Sequence, residues 1–188
     1  MRNIVIILLL ASSSLAAQDY RKLKIGVGMG YGVSAPSFSD KYKYSTAVYL
    51  EPAYRIDDRI CIGLRLENIG WSGLNVTSYT INSQFYLSPR GVRPFLGIGI
   101  GYFNSRYNTD LLYGNYSGQE ETSLGFYPRI GFDWHHLSIS LDANIVTNFS
   151  GNVFPPALPA KAQTSTNLDA SYFAVKVGLT IGGGKKTR

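Results

Sequence analysis

Beyond the first twenty residues, apolar side chains recur at every second position in eight separate segments. The first reads Leu23-Lys24-Ile25-Gly26-Val27-Gly28-Met29-Gly30-Tyr31, and the last reads Tyr172-Phe173-Ala174-Val175-Lys176-Val177-Gly178-Leu179-Thr180-Ile181. A period of two belongs to a strand with unlike faces, because successive side chains point to opposite sides. No segment of this region carries a helical period. The pattern predicts strands near 23–33, 44–56, 59–69, 75–87, 93–104, 121–133, 136–149 and 170–182. Eight strands without helices predict an all-β fold, an eight-stranded antiparallel up-and-down barrel.

The connections support closure across a membrane. Asp57-Asp58, Ser88 to Val92 and the bend at Trp134-His135 read as tight turns. Ser34 to Lys43, Asn104 to Glu120 and Ser150 to Asp169 read as long loops, with Gly70 to Leu74 of middle length. With an even strand count, alternating tight and long connections put both termini on the tight-turn side. Transmembrane barrels of the outer membrane have this layout, with short periplasmic turns and long extracellular loops.

Side-chain size then decides which face is outside. One face carries Ile25, Val27, Met29, Val48, Leu50, Leu64, Ile81, Ile98, Ile100, Phe126, Ile130, Leu141, Val175, Val177 and Leu179. An eight-stranded barrel has an interior just wide enough to be filled by side chains, and so many large residues would crowd it. The other face carries Gly26, Gly28, Gly30, Gly97, Gly99, Gly101, Gly125, Gly131 and Gly178 with scattered charges. The apolar face is therefore expected to point outward, to membrane lipid. Tyr31, Tyr79, Tyr102, Phe149 and Phe173 fall on that face near the long loops, and Tyr54, Phe132 and Trp134 near the tight turns. They form two candidate aromatic girdles for interfacial anchoring. Pro52 and Pro128 lie inside strands, where a missing N–H predicts a bulge or kink.

In the same register the inward face carries Glu51, Arg65, Glu67, Gln84, Arg129, Asp142, Asn144 and Lys176 near mid-strand. Three acids and three bases in a narrow lumen are tolerable only if they are paired and hydrogen-bonded. The expectation is an internal salt-bridge network that plugs the barrel; a charged pore is the alternative.

The first residues form a separate unit. Met1-Arg2-Asn3 is a basic start, Ile4 to Ala11 an apolar run, and Ser14 and Ala16 occupy the small positions of a cleavage site. Residues 1–16 read as a secretory signal peptide, too short for the ~18 apolar residues of a spanning helix. Residues 17–184 then form the barrel, and 185–188 a basic tail. The net charge of +6 falls to +5 when Arg2 leaves, and the bases do not cluster outside Lys185-Lys186-Thr187-Arg188. With export, this argues against a nucleic-acid partner. Charged residues make up 16% of the chain, against about 25% in soluble domains, which suits a wall exposed to lipid. Cys61 is the single cysteine, so no intramolecular disulfide can form.

Candidate chemistry is sparse. No Cys/His/Asp cluster has metal-ligand spacing, no cofactor is implied, and no helix follows Gly26-x-Gly28-x-Gly30 to make it a nucleotide loop. His136-Leu137-Ser138 puts a His and a Ser on one strand face, as in eight-stranded lipid A deacylases. Here the pair falls at a tight turn, which favours interfacial turn residues over catalysis. The segment from Asn104 to Glu120 sets Tyr107, Tyr113 and Tyr116 among Asn, Ser and Gly, a composition suited to surface contact.

The segments Arg93-Pro94-Phe95-Leu96-Gly97-Ile98-Gly99-Ile100-Gly101, Tyr127-Pro128-Arg129-Ile130-Gly131-Phe132 and Phe173 to Gly184 resemble the OmpA/OmpX-like, porin-like family of small outer-membrane barrels. The resemblance covers the whole mature chain. Many members end on an aromatic residue of the last strand, whereas this chain runs on through Gly182-Gly183-Gly184 to its basic tail. The resemblance implies a fold and an outer-membrane location more than an activity. The expected role is a rigid single-copy barrel whose long loops meet an extracellular ligand in adhesion or surface contact. A narrow solute channel comes second and a lipid A-modifying enzyme third.

Overall fold

The computed structural model describes residues 21–34, 44–71, 74–88, 91–107, 120–147, 149–151, 166–168 and 170–183. Its strands are β1 (Leu23–Ser34), β2 (Tyr44–Arg55), β3 (Ile60–Trp71), β4 (Leu74–Tyr86), β5 (Arg93–Tyr107), β6 (Glu120–Trp134), β7 (Leu137–Val146), β8 (Phe149–Gly151), β9 (Thr166–Leu168) and β10 (Tyr172–Gly182). Strands β1 to β7 and β10 close an antiparallel barrel in which each strand pairs with its neighbours in sequence and β1 pairs with β10. The short strands β8 and β9 pair only with each other, within the connection from β7 to β10.

The turns follow local chemistry. Asp57 Oδ1 accepts from the backbone N–H of Arg59 (2.7 Å) and Ile60 (2.6 Å), an Asx-type turn between β2 and β3. Between β6 and β7, His135 takes a positive φ of 53°. Such values are uncommon outside glycine, and a two-residue hairpin demands them. Strands β3 and β4 reach further into the expected middle-length link than predicted: Trp71 and Leu74 are register partners. Strands β5 and β6 each run to 15 residues and shorten the expected loop to 108–119.

Pairing around the wall is offset. A path of Cα partners leads from Arg55 through Cys61, Gln84, Gly97, Arg129, Asp142, Ala174 and Gly32 back to β2 at Ser45, ten residues from its start. That offset is the barrel's shear. With eight strands it sets a steep tilt, at the upper end of the ~35–45° usual for barrels.

The expected bulges at Pro52 and Pro128 are absent. On β2 and β3, Leu50 pairs with Leu66 and Ala53 with Gly63, so the register is unchanged across Pro52. On β6 and β7, Phe126 pairs with Ile145 and Arg129 with Asp142, unchanged across Pro128. Each proline interrupts the ladder on one side only and stays in register on the other, opposite Ile25 and Ile98. The ring projects outward, so the missing N–H costs a ladder bond without shifting a face.

The outward face is apolar, with Met29 at 64%, Ile100 at 63% and Ile181 at 69% exposed. The inward face is not only glycine and charge. At the long-loop end Ala47, Ile69, Trp71, Leu74, Val76, Phe103, Tyr127, Val146, Ala170, Tyr172 and Ala174 form a packed cluster, and at the tight-turn end Ala53, Cys61, Tyr86 and Phe95 form another. Inward glycines make room for these rings. Gly28 and Gly178 flank Tyr49: a Cβ on Gly28 would fall 2.7 Å from its Cε1, and one on Gly178 would fall on its hydroxyl.

Candidate functional site

The charged residues lie between the two apolar clusters, on strands that alternate inward by parity. Arg65 on β3 is central. Its Nε donates to Glu51 Oε2 at 2.7 Å, its Nη2 lies 2.6 Å from the same oxygen, and its Nη1 pairs with Asp142 Oδ2. The guanidinium is bracketed by the rings of Tyr49 (4.8 Å) and Tyr127 (5.2 Å), so it meets aromatic faces where it does not meet carboxylates. Arg129 Nη1 reaches both Glu51 oxygens at 3.1 and 2.9 Å, and its Nε lies 3.6 Å from Asp142 Oδ1. Lys176 Nζ, fully buried, pairs with Glu67 Oε2 and donates to Asp142 Oδ2 at 2.8 Å. Tyr172 Oη donates to Glu67 Oε1 at 2.8 Å.

Gln84 extends the net toward the tight turns. Its Nε2 donates to Glu51 Oε1 at 2.5 Å, its Oε1 accepts from Lys24 Nζ (3.4 Å), and the same oxygen lies 3.0 Å from Tyr86 Oη. Lys24 Nζ also donates to Asp133 Oδ2 at 2.7 Å, as does Tyr86 Oη. A single run of polar contacts therefore connects Tyr172 near one end to Asp133 near the other. Arg55 and Arg93 lie over the Tyr86 ring, 4.8 and 3.9 Å from its centroid.

The structure thus places Glu51, Arg65, Glu67, Gln84, Arg129, Asp142 and Lys176 in one buried net. Asn144 is buried beside it, with no partner for its Nδ2 among the described residues. Sequence reading missed Lys24, Asp133, Tyr86, Arg55 and Arg93. Each has inward parity on its strand, so the signal was present, but they lie toward the strand ends rather than at mid-strand. The six central charges balance, as do Lys24 and Asp133. Arg55 and Arg93 add two further buried cations at the tight-turn mouth.

Outside, Tyr31, Tyr54, Tyr79, Tyr102, Trp134 and Phe173 are exposed and Phe132 is half-buried. Tyr79 and Tyr102 are register partners, and Tyr31 stacks on Tyr44 at 5.6 Å. The side chains of Phe149 and Tyr107 lie outside the described structure, as do residues Tyr113 and Tyr116 altogether. His136 and Ser138 are not joined. The His136 ring lies 2.8 Å from the Thr180 carbonyl through Nδ1, while Ser138 is buried in the lumen. No group of His, Cys, Asp or Glu among the described residues is placed to hold a metal ion.

No protein-family model and no curated protein sequence matches the chain. Solved structures do. Neisserial surface protein A superposes with a TM-score of 0.58 at 13% identity, over 84% of this chain and 96% of that one. The outer membrane protein OprG of Pseudomonas aeruginosa gives 0.52 at 12%, over 87% and 97%. The N-terminal β-barrel domain of Pseudomonas aeruginosa OprF gives 0.52 at 10%, over 86% and 99%. At these identities the likeness is one of fold: the chain has the architecture of the small eight-stranded outer-membrane barrels.

Proposed function

We propose that the chain is an integral outer-membrane barrel, exported by its signal peptide, with a plugged lumen and with its work done at the long-loop end in adhesion or surface contact. Its partners are membrane lipid and an extracellular ligand of the loops; it acts as a single copy and needs no cofactor. The outward apolar wall and the fold shared with outer-membrane barrels support the location. The plug rests on one observation, the Arg65 guanidinium held across the lumen between Tyr49 and Tyr127 and pinned by Glu51 and Asp142. A passing ion would have to displace this group and then the apolar cluster that includes Trp71, Phe103 and Tyr172.

Planar-bilayer recording tests the plug. The parent protein is expected to be silent, and Arg65→Ala to leak. Steady, well-resolved openings in the parent would refute the plug and favour a narrow solute channel. Fractionation of native cells tests the location: recovery in the periplasm as a soluble, monodisperse protein would overturn it. For the loops, residues 108–119 are replaced by a short Gly-Ser link and binding of protein-bearing vesicles to host cells is measured. Unchanged binding would remove this loop from the role.

A further inference from the structure

The outward apolar face stops abruptly on one side of the barrel. On β3 to β6 one row of register partners reads Leu66, Tyr79, Tyr102 and Leu124. The next row toward the long loops reads Asn68, Thr77, Asn104 and Thr122, and the row beyond it Gly70, Asn75, Arg106 and Glu120. Two consecutive rows across four strands are thus free of large apolar side chains. On β2 the Asn68 row turns apolar again at Val48. The long-loop ends of β1, β2 and β10 carry Val33, Tyr44 and Phe173 outward, so among the described residues the polar sector is confined to one side.

This sector is concave. A cavity of about 550 Å³ opens on the outer wall between Tyr79 at its lower edge and the Arg106–Glu120 pair at its upper edge. Its amides are already oriented. Asn68 Nδ2 donates to Asn75 Oδ1 (2.8 Å) and Thr77 Oγ1 (2.9 Å), and Asn104 Nδ2 donates to Thr122 Oγ1 (3.1 Å). Amide and hydroxyl groups offer donors and acceptors side by side, which suits vicinal hydroxyls. A phosphate would want surplus Arg or Lys, whereas the one cation here, Arg106, is offset by Glu120 at 3.3 Å.

We propose that this groove binds the saccharide head of an outer-leaflet glycolipid whose acyl chains lie against the apolar rows below. The inference rests on the outer-membrane reading above, and the position of the groove supplies the argument for the occupant. A ligand anchored in lipid beside Leu66, Tyr79 and Tyr102 carries its head at the level of the amides, held close to the site by its own tail.

The test uses the full mature chain in phosphatidylcholine nanodiscs, with side-chain amide resonances of the groove asparagines followed by NMR. The probes are lipid A carrying a core oligosaccharide, lipid A alone, and the free core oligosaccharide. The glycolipid with core is expected to shift the amides of Asn68, Asn75 and Asn104. The shift should saturate at concentrations at least tenfold lower than for the other two probes. Asn75→Ala and Thr122→Val should each weaken this binding several-fold, and Ile181→Ala on the far wall should not. Both groove positions are exposed, and heat-modifiable gel migration verifies folding. Equal response to lipid A alone would show that the core saccharide is not read, and equal response to the free oligosaccharide would show that the membrane anchor is not used. Dimers captured by cross-linking and lost in Asn75→Ala would make the groove a contact between copies. Each of these overturns the proposal. Failure to enter nanodiscs at all would instead overturn the outer-membrane reading.

Discussion

The ring of Tyr127 on β6 lies across Gly99, its register partner on β5, so that a Cβ on Gly99 would clash with its Cε1 and Cζ. The same ring forms one side of the slot that holds Arg65. Wall and lumen are therefore coupled at this pair. Gly99→Val should destabilise the barrel by about 1–3 kcal/mol through overpacking. Adding Tyr127→Ala should recover part of that loss. Urea unfolding in bilayers provides the cycle, and strictly additive effects would show that the two sites do not share space.

The outward face should reject charge. Ile100→Arg and Leu141→Arg are each expected to cost about 2–4 kcal/mol where the residue sits near the bilayer midplane. Refolding yield into vesicles and unfolding titrations measure this. A variant as stable as the parent would mean that lipid does not cover this face.

Burial separates strong ion pairs from weak ones. Glu51→Ala leaves Arg65 and Arg129 facing each other in the lumen without their shared carboxylate, and should cost about 3–5 kcal/mol. The Arg106–Glu120 pair is superficially similar, but its side chains are 64% and 47% exposed. Arg106→Ala should cost no more than about 1 kcal/mol. Comparable losses at the two sites would argue that the lumen is hydrated.

Restoring the missing ladder donors should do no harm. Pro52→Ala and Pro128→Ala preserve register and outward direction and return one N–H each, for a gain of about 0.5–1.5 kcal/mol if the ladder bond forms. Hydrogen exchange of the backbone amide that each substitution introduces reads the new bond directly. Marked destabilisation would mean that the proline ring itself is required by the wall.

The period-two pattern made the eight barrel strands, their facing and their closure legible, because one buried face enforces alternation over long runs; the short β8–β9 pair was not read from it. Strand ends were less legible. Trp71 and Leu74 are paired across β3 and β4, yet the stretch from Gly70 to Leu74 reads equally well as a longer link. The lumen's membership followed from parity, and Lys24 and Asp133 were missed because they lie away from the strand centres. The partnerships within the lumen were not legible. Arg65 meets Asp142 from across the barrel, 77 positions along the chain, and which rows face each other there depends on the ten-residue offset around the wall. That offset is a property of the closed cylinder and has no local signature. The outer amide rows were overlooked for a related reason: Asn68, Thr77 and Asn104 become one row only when register is known.

Closure itself has a kinetic meaning. Every pairing in the barrel joins neighbours along the chain except the seam, where Lys24 meets Gly182 across nearly the full described length. Hairpins with short connections can form early, whereas the seam bears the full loop-closure entropy of a non-local contact. Each seam strand brings a lysine whose ammonium finds a carboxylate on a strand it does not border: Lys24 of β1 on Asp133 of β6, and Lys176 of β10 on Glu67 of β3. These two attractions are complete only once the cylinder is shut. They act as electrostatic latches, rewarding the last step of assembly and leaving open-sheet intermediates without them.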